Sequence, residues 1–375
     1  MLLKKNALLE LQKTHSDKTQ PITLRATTTA EQRSGVRRIR IRGHQIISDS
    51  DYSFAGYSLG PGSPESSLTA IASDLADAFL SQSALKGVRI DSLGVSITSR
   101  RDSIPPSVRI VYPHNLFYTI YVKSPATDEQ LEEIRLLAEQ HSPAFNVASE
   151  KQIVKGEIDY VQTSQDLTFE PPYQPGLREY LKYKRAALLW REDARSSAKS
   201  QSAANTLALE SEALKPDQLH VEVDPVSGAR KVHIRHFNLI HDNLPIFAGN
   251  DLGPSSLEHQ LGALTSCITH ITEIQAASRN IALDSLSVSA YAIYDSRAGR
   301  RGYENLLKHP YEIHYTIHIR SPHSYEEIVA LRDAVEAVCP IYNLFITEQK
   351  IVGRIVRDNP EKYRLHPQFH YHYKD

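Results

Sequence analysis

Two cysteines carry whatever thiol chemistry this chain can do: Cys267, in GALTSCITH, and Cys339, in EAVCPIYN, stand alone among 375 residues. A thiol attacks only as the thiolate, and an unperturbed cysteine titrates near about 8.5, so a reactive one needs a cation or base beside it. Two thiols that meet can go further, because a sulfenic acid formed on one is condensed by the other into a disulfide. His270 follows Cys267 by three residues, on nearly the same face of a helix; such a neighbour could instead activate the thiol for attack on carbon. His366, His370 and His372 in the tail are spaced so that they could touch a metal, but no Cys or Asp/Glu cluster accompanies them. No metal or other cofactor is therefore expected.

The elements that must position these residues repeat along the chain. FAGYSLGPGSPESSL at Phe54 to Leu68 returns as FAGNDLGPSSLEHQL at Phe247 to Leu261, an offset of 193. The same offset aligns Ile90-Asp91-Ser92-Leu93 with Leu283-Asp284-Ser285-Leu286. Past a longer loop the offset becomes 197, pairing Ser142-Pro143-Ala144-Phe145-Asn146 with Cys339-Pro340-Ile341-Tyr342-Asn343. Both copies open on a period-two stretch, with Arg38, Arg40 and Arg42 or Lys231, His233 and Arg235 alternating with apolar residues, which predicts a strand. Long Ala/Leu-rich stretches, Pro64 to Leu85 and Leu257 to Ile281, predict a central helix in each copy. Strands follow near Leu93 to Thr98 and Phe117 to Lys123, then a second helix, in which Ile328, Leu331, Val335 and Val338 step by three and four along one buried face. Pro340 stops that helix with Cys339 in its last turn. Final strands are expected at Ile153 to Val161 and Lys350 to Val356.

The run RHFNLIHDNLPIFAGNDLGPSSLEHQLGALTSC, followed by SPHSYEEIVALRDAVEAVCP, resembles the OsmC and organic-hydroperoxide-resistance (Ohr) family. The first copy resembles it through RGHQIISDSDYSFAGYSLGPGSPESSL, with Asp74 opposite Cys267 and Ser142 opposite Cys339. The resemblance implies that Cys267 attacks a hydroperoxide and Cys339 resolves the product. It also implies an arginine from the N-terminal strand, Arg42 or Arg235, oriented by a glutamate near the start of the central helix, Glu258 or Glu65. On one continuous helix, Glu258 and Cys267 would stand roughly 13 Å and about half a turn apart. Either the helix starts after Glu258, or the acid and arginine come from the other copy.

The expected architecture is α+β: two tandem OsmC-like domains, 20–163 without cysteines and 219–358 with the pair, each a curved antiparallel sheet with a central helix. They would form an intramolecular pseudo-dimer, joined by a partly helical linker over 164–218 and followed by a tail over 359–375. The linker is expected to be a solvated connector; the alternative is a lid or docking helix that uses Tyr183 and Trp190. The leading function is a thiol-dependent peroxidase acting on organic hydroperoxides, with a small apolar or peroxide substrate and an external dithiol as reductant. The alternatives are a cysteine hydrolase or lyase using His270, and a non-catalytic binding module.

Composition narrows the partners. Forty-three basic against forty-four acidic residues leave a formal charge of -1, so no global field draws in nucleic acid. No stretch reaches the roughly 18 apolar residues of a membrane span, and two cysteines do not make a secreted disulfide framework. A cytoplasmic protein, monomeric or homodimeric, is expected.

Overall fold

The computed structural model describes residues 21–99, 111–165, 176–201, 219–298 and 302–358. Strands β1 (Ile22–Ala30), β2 (Arg37–Ile41) and β3 (His44–Ser48) lead to helix α1 (Ser63–Leu85), followed by β4 (Ser92–Ser99) and β5 (Leu116–Lys123). Helices α2 (Asp128–His141) and α3 (Pro143–Ser149) precede β6 (Val154–Gln162), and α4 (Leu177–Gln201) carries the chain toward the second copy. There β7 (Leu219–Val223), β8 (Arg230–Ile234) and β9 (Phe237–His241) lead to α5 (Ser256–Arg279), β10 (Ser285–Tyr294) and β11 (Tyr311–Ser321). Helices α6 (Tyr325–Val338) and α7 (Pro340–Phe345) and strand β12 (Ile351–Val356) complete the described chain.

The two six-stranded sheets run β3-β2-β1-β10-β11-β6 and β12-β5-β4-β7-β8-β9. Neither sheet therefore belongs to one sequence copy: each takes four strands from one and a central hairpin pair from the other. The seam of the first is β1 against β10, antiparallel from Ile22 opposite Tyr294 to Thr29 opposite Ser287. This corrects the expectation of an antiparallel sheet within each copy in a second respect too. The last strands pair parallel, β6 on β11 and β12 on β5. Helices α2–α3 lead from β5 to β6 and α6–α7 from β11 to β12, so each pair carries the chain from one sheet to the other, and each parallel pair joins strands of different copies. Alternation along a strand reports which face is buried and is silent about the neighbour's direction.

Helices α1 and α5 lie between the sheets, as their near-continuous burial requires. They run antiparallel, since Ser63 Oγ donates to Ser266 Oγ at 3.0 Å while Ser256 Oγ donates to Ser73 Oγ at 3.0 Å. Gly262 lets α5 come down on the first sheet: a Cβ there would stand 2.8 Å from Ile39 Cγ2. The start of α5 is fixed by a capping box, with Glu258 N donating to Ser255 Oγ and Ser255 N to Glu258 Oε2. Cys339 lies just past the end of α6, in extended conformation at φ -70 and ψ 116, and α7 begins at Pro340. Proline disfavours helical geometry in the residue before it, so the thiol projects from a break between two helices and not from a last turn.

The linker helix α4 buries Leu177, Tyr180, Leu181 and Lys184 against the body. Tyr183 and Trp190 stay exposed, the latter at 74 %, so the docking side of this helix is the one that sequence alone did not single out. The tail histidines His366, His370 and His372 lie outside the described residues.

Candidate functional site

Cys267 lies in the middle of α5, and its thiol is close enough to that of Cys339, at the α6–α7 break, for each to influence the other's ionisation. Both are reduced and buried. Burial pushes the Cys339 thiol well above its ordinary value, and the neighbouring Cys267 pushes the same way.

The guanidinium nearest the Cys267 turn is that of Arg37. It is 1 % exposed, and its Nε donates to Ser266 Oγ at 3.3 Å. Its Nη1 donates to His270 Nδ1 at 2.9 Å, so the residues immediately before and one turn after Cys267 are both held by one cation. Arginine only donates, which makes Nδ1 of His270 an acceptor and leaves the ring hydrogen on Nε2. Burial, reinforced by Arg37 and Lys184, lowers the His270 pKa well below 6.5 and keeps the ring neutral. His270 meets the edge of Phe54 at 6.1 Å, and among the described residues it makes no hydrogen bond to Cys267. Ser266 is the hub of this cluster, donating to Ser48 Oγ at 3.0 Å while accepting from Ser63 and Arg37.

Arg42 and Arg235 stand elsewhere than the alternating strand face suggested. Each opens a two-residue hairpin turn, with φ of 51° and 53°, and reaches the capping glutamate at the start of the central helix of the opposite copy. Arg42 donates to Glu258 from Nε at 2.7 Å and from Nη2 at 2.9 Å, and also pairs with Asp251. Arg235 meets Glu65 at 2.9 and 3.1 Å. Because α5 is continuous from Ser256, Glu258 is roughly 13 Å along the axis from Cys267. Arg42 and Glu258 thus join each other and do not reach the thiol. Glu65 is closer to it in the fold, for the same turn of α1 carries Ser63, which touches Ser266.

The first copy repeats the arrangement with other groups. Arg230 donates to Ser73 at 3.4 Å and to Asn243 at 2.9 Å, and pairs with Asp77 at 3.4 Å, where its counterpart Arg37 meets Ser266 and His270. Ser142 Oγ donates to Asp74 Oδ2 at 2.7 Å in place of the thiol contact. Arg37 and Arg230 are not among the outward charges that make the period-two stretch recognisable, because they sit in its buried register. Their signal was there: an arginine in the apolar-facing register of a strand, at the same place in both copies. Among the described residues, no group of three or more His, Cys, Asp or Glu is placed to hold a metal ion. No helix of the described residues is long and apolar enough to cross a membrane.

Comparison with known proteins bears on the second copy. The family profile of OsmC-like protein matches residues 249–352, a segment holding both cysteines, Glu258 and His270. No match was found among curated proteins. Among solved structures, the OsmC like protein from Mycoplasma pneumoniae is similar at 14 % identity and a TM-score of 0.28, over 34 % of this chain and 86 % of that one.

Proposed function

We propose that this chain is a thiol-dependent peroxidase for organic hydroperoxides, with Cys267 as the attacking thiol and Cys339 as the resolving one. The observation that carries the reading is the adjacency of the two thiols, each within reach of the other's ionisation, in a chain with no other cysteine. The Cys267 thiolate attacks the terminal peroxide oxygen, the O–O bond breaks, and the alkoxide leaves with a proton as the alcohol. Cys267 is then a sulfenic acid; Cys339 attacks it, a disulfide forms and water departs. An external dithiol returns both thiols. Cys339, held protonated by burial and by its neighbour, suits the waiting role, and Arg37 supplies positive charge on the turn that carries Cys267. An OsmC-like domain at 249–352 fits this chemistry.

The tandem arrangement belongs to the same proposal: residues 20–163 and 219–358 act as two OsmC-like units in an intramolecular pseudo-dimer, of which only the second is redox-active. Exchange of strands between the copies and the crossed pairs Arg42–Glu258 and Arg235–Glu65 support it. Arg37 occupies Nδ1 of His270 and leaves the hydrogen on Nε2, so the ring has no free lone pair with which to take a proton from Cys267, which speaks against a general-base hydrolase.

Counting free thiols before and after one equivalent of cumene hydroperoxide tests the reading. Loss of two thiols is expected, and an unchanged count rejects it. Cys267→Ser should abolish peroxide consumption, while Cys339→Ser should consume one equivalent and lose cycling with a dithiol.

A further inference from the structure

The linker helix does more than join the copies. Lys184, on α4, is 0 % exposed, and its Nζ donates to Glu273 Oε2 at 3.3 Å and to Tyr180 OH at 3.0 Å. Glu273 is itself 0 % exposed and lies on α5, two turns beyond Ser266 and one beyond His270. Its Oε2 also stands 3.9 Å from Arg37 Nη1 and 3.6 Å from His270 Nδ1. Glu273 is thus shared between two cations, Arg37 from β2 and Lys184 from α4, with its Oε1 left without a hydrogen-bond partner. Burial pushes the Lys184 ammonium down and the Glu273 carboxyl up, and the charge of each partner opposes the shift of the other.

A buried ion pair contributes little net stability over apolar residues of similar volume, so a mere connector would gain nothing from this one. The first copy shows the alternative. The residue equivalent to Glu273 is Leu80, fully buried, and Arg230 is satisfied there by Ser73, Asp77 and Asn243. The copy whose cysteines are replaced has no acid at this position. The extra pair occurs only beside Cys267.

Helix α4 is held in place accordingly. Arg178 pairs with Asp284 through Nε and Nη2, Tyr180 OH donates to Ala55 O at 3.2 Å, and the Tyr180 ring occupies the space a Cβ on Gly35 would need. Farther along, Arg191 lies 4.0 Å over the Phe54 ring, whose edge meets His270.

We propose that α4 is an integral part of the thiol site, with Lys184 as a positioning residue that shares Glu273 and so keeps Arg37 on Ser266 and His270, beside Cys267. Without Lys184, the undivided carboxylate of Glu273 draws Arg37 along α5, away from the Cys267 turn. The charged and titratable groups facing this network are Arg37, Lys184, Glu273, His270, Tyr180, Asp49 and Tyr57. The proposal rests on Cys267 being the reactive thiol, but its test reads thiol ionisation directly and does not require peroxide turnover.

The test is the pH dependence of Cys267 ionisation, followed by thiolate absorbance and by iodoacetamide alkylation in the full chain carrying Cys339→Ser. Lys184→Met should raise the midpoint and slow alkylation at neutral pH by roughly threefold to tenfold, because a cation is lost and another displaced. Glu273→Gln should move the midpoint the opposite way, and Tyr180→Phe should move it in the Lys184→Met direction by less. Loss of packing alone would not give shifts of opposite sign. Midpoints that stay at the reference value in folded Glu273→Gln and Tyr180→Phe overturn the proposal even if Lys184→Met does not fold. So does a shift of the same sign in all variants.

Discussion

Ser142 Oγ donates a 2.7 Å hydrogen bond to Asp74 Oδ2, at the two positions of the first copy that correspond to Cys339 and Cys267 in the second. The same carboxylate oxygen accepts from Ala144 N at 2.9 Å, and Ser142 Oγ in turn accepts from Phe145 N and caps α3. The first copy thus closes the same helix break with a bond no reductant can open. Cys267 and Cys339 make the corresponding contact with groups that can be oxidised, and the difference between the copies lies in chemistry more than in shape.

Burial raises the Asp74 carboxyl to about 6, against the hydrogen bonds from Ala144 and Ser142. A folded value above the unfolded one means that the proton stabilises the fold, so this contribution is full below about 3.8 and is lost as pH rises through about 6. Asp74→Asn keeps an oxygen for both donors and has no charge to bury. We expect it to equal or exceed the parent stability at pH 7, by about 1–2 kcal/mol, with no gain at pH 4. A lower denaturation midpoint at pH 7 would show that the ionised carboxylate is needed.

His241 and His259 have the opposite sign. Their rings share a 2.7 Å contact and are fully buried, where the first copy has Ser48 and Ser66. Burial lowers both values, that of His259 to about 4, and the charges of His259 and Arg230 add to the effect on His241. Stability from the neutral pair is fully present above about 6.5 and is lost as pH falls toward 4, since only the unfolded chain takes up the protons. Urea midpoints should therefore drop between pH 7 and pH 5, and His259→Gln should flatten the slope. A slope identical in the variant would assign the acid sensitivity to other groups.

The two crossed pairs should separate stability from reactivity. Glu258→Gln breaks a bidentate contact to Arg42 and weakens the cap of α5, at a cost of about 1–2 kcal/mol. Its distance from Cys267 leaves thiol alkylation within about twofold of the parent. Glu65→Gln should cost a similar amount and also slow alkylation, because it loosens the end of α1 that bears Ser63 against Ser266. Equal effects of the two variants on alkylation would contradict this placement.

Much of this was legible in the residues. The central helices begin at Ser63 and Ser256, within a residue of where their Ala/Leu-rich stretches start, because the Ser-x-x-Glu cap of α5 and the Gly-Pro turns before both helices are local signals. The exchange of β4–β5 and β10–β11 between sheets was not legible, since a strand's alternation fixes its buried face and leaves its partner open. Arg37 and Lys184 were missed for a related reason. Each is a charge on an inward face, and only tertiary contact with Glu273, from a different element, shows why burial is tolerated.

The replaced site offers the most direct trial of the equivalence between copies. If Asp74 and Ser142 stand where thiols would meet, Asp74→Cys with Ser142→Cys should install a second pair. Their polar atoms already touch at 2.7 Å across α1 and the start of α3, and two sulfurs there need only a modest adjustment to reach disulfide distance. The substitution also removes a buried carboxyl, which offsets part of the lost hydrogen bonding. Treatment with a mild oxidant should then consume four thiols per chain where the parent loses two, with the new bond traced by peptide mapping to residues 74 and 142. Oxidation that crosslinks either new cysteine to Cys267 or Cys339, or that leaves the new pair reduced in a folded protein, would show that the helix break in the first copy is not the geometric counterpart of the one at Cys339.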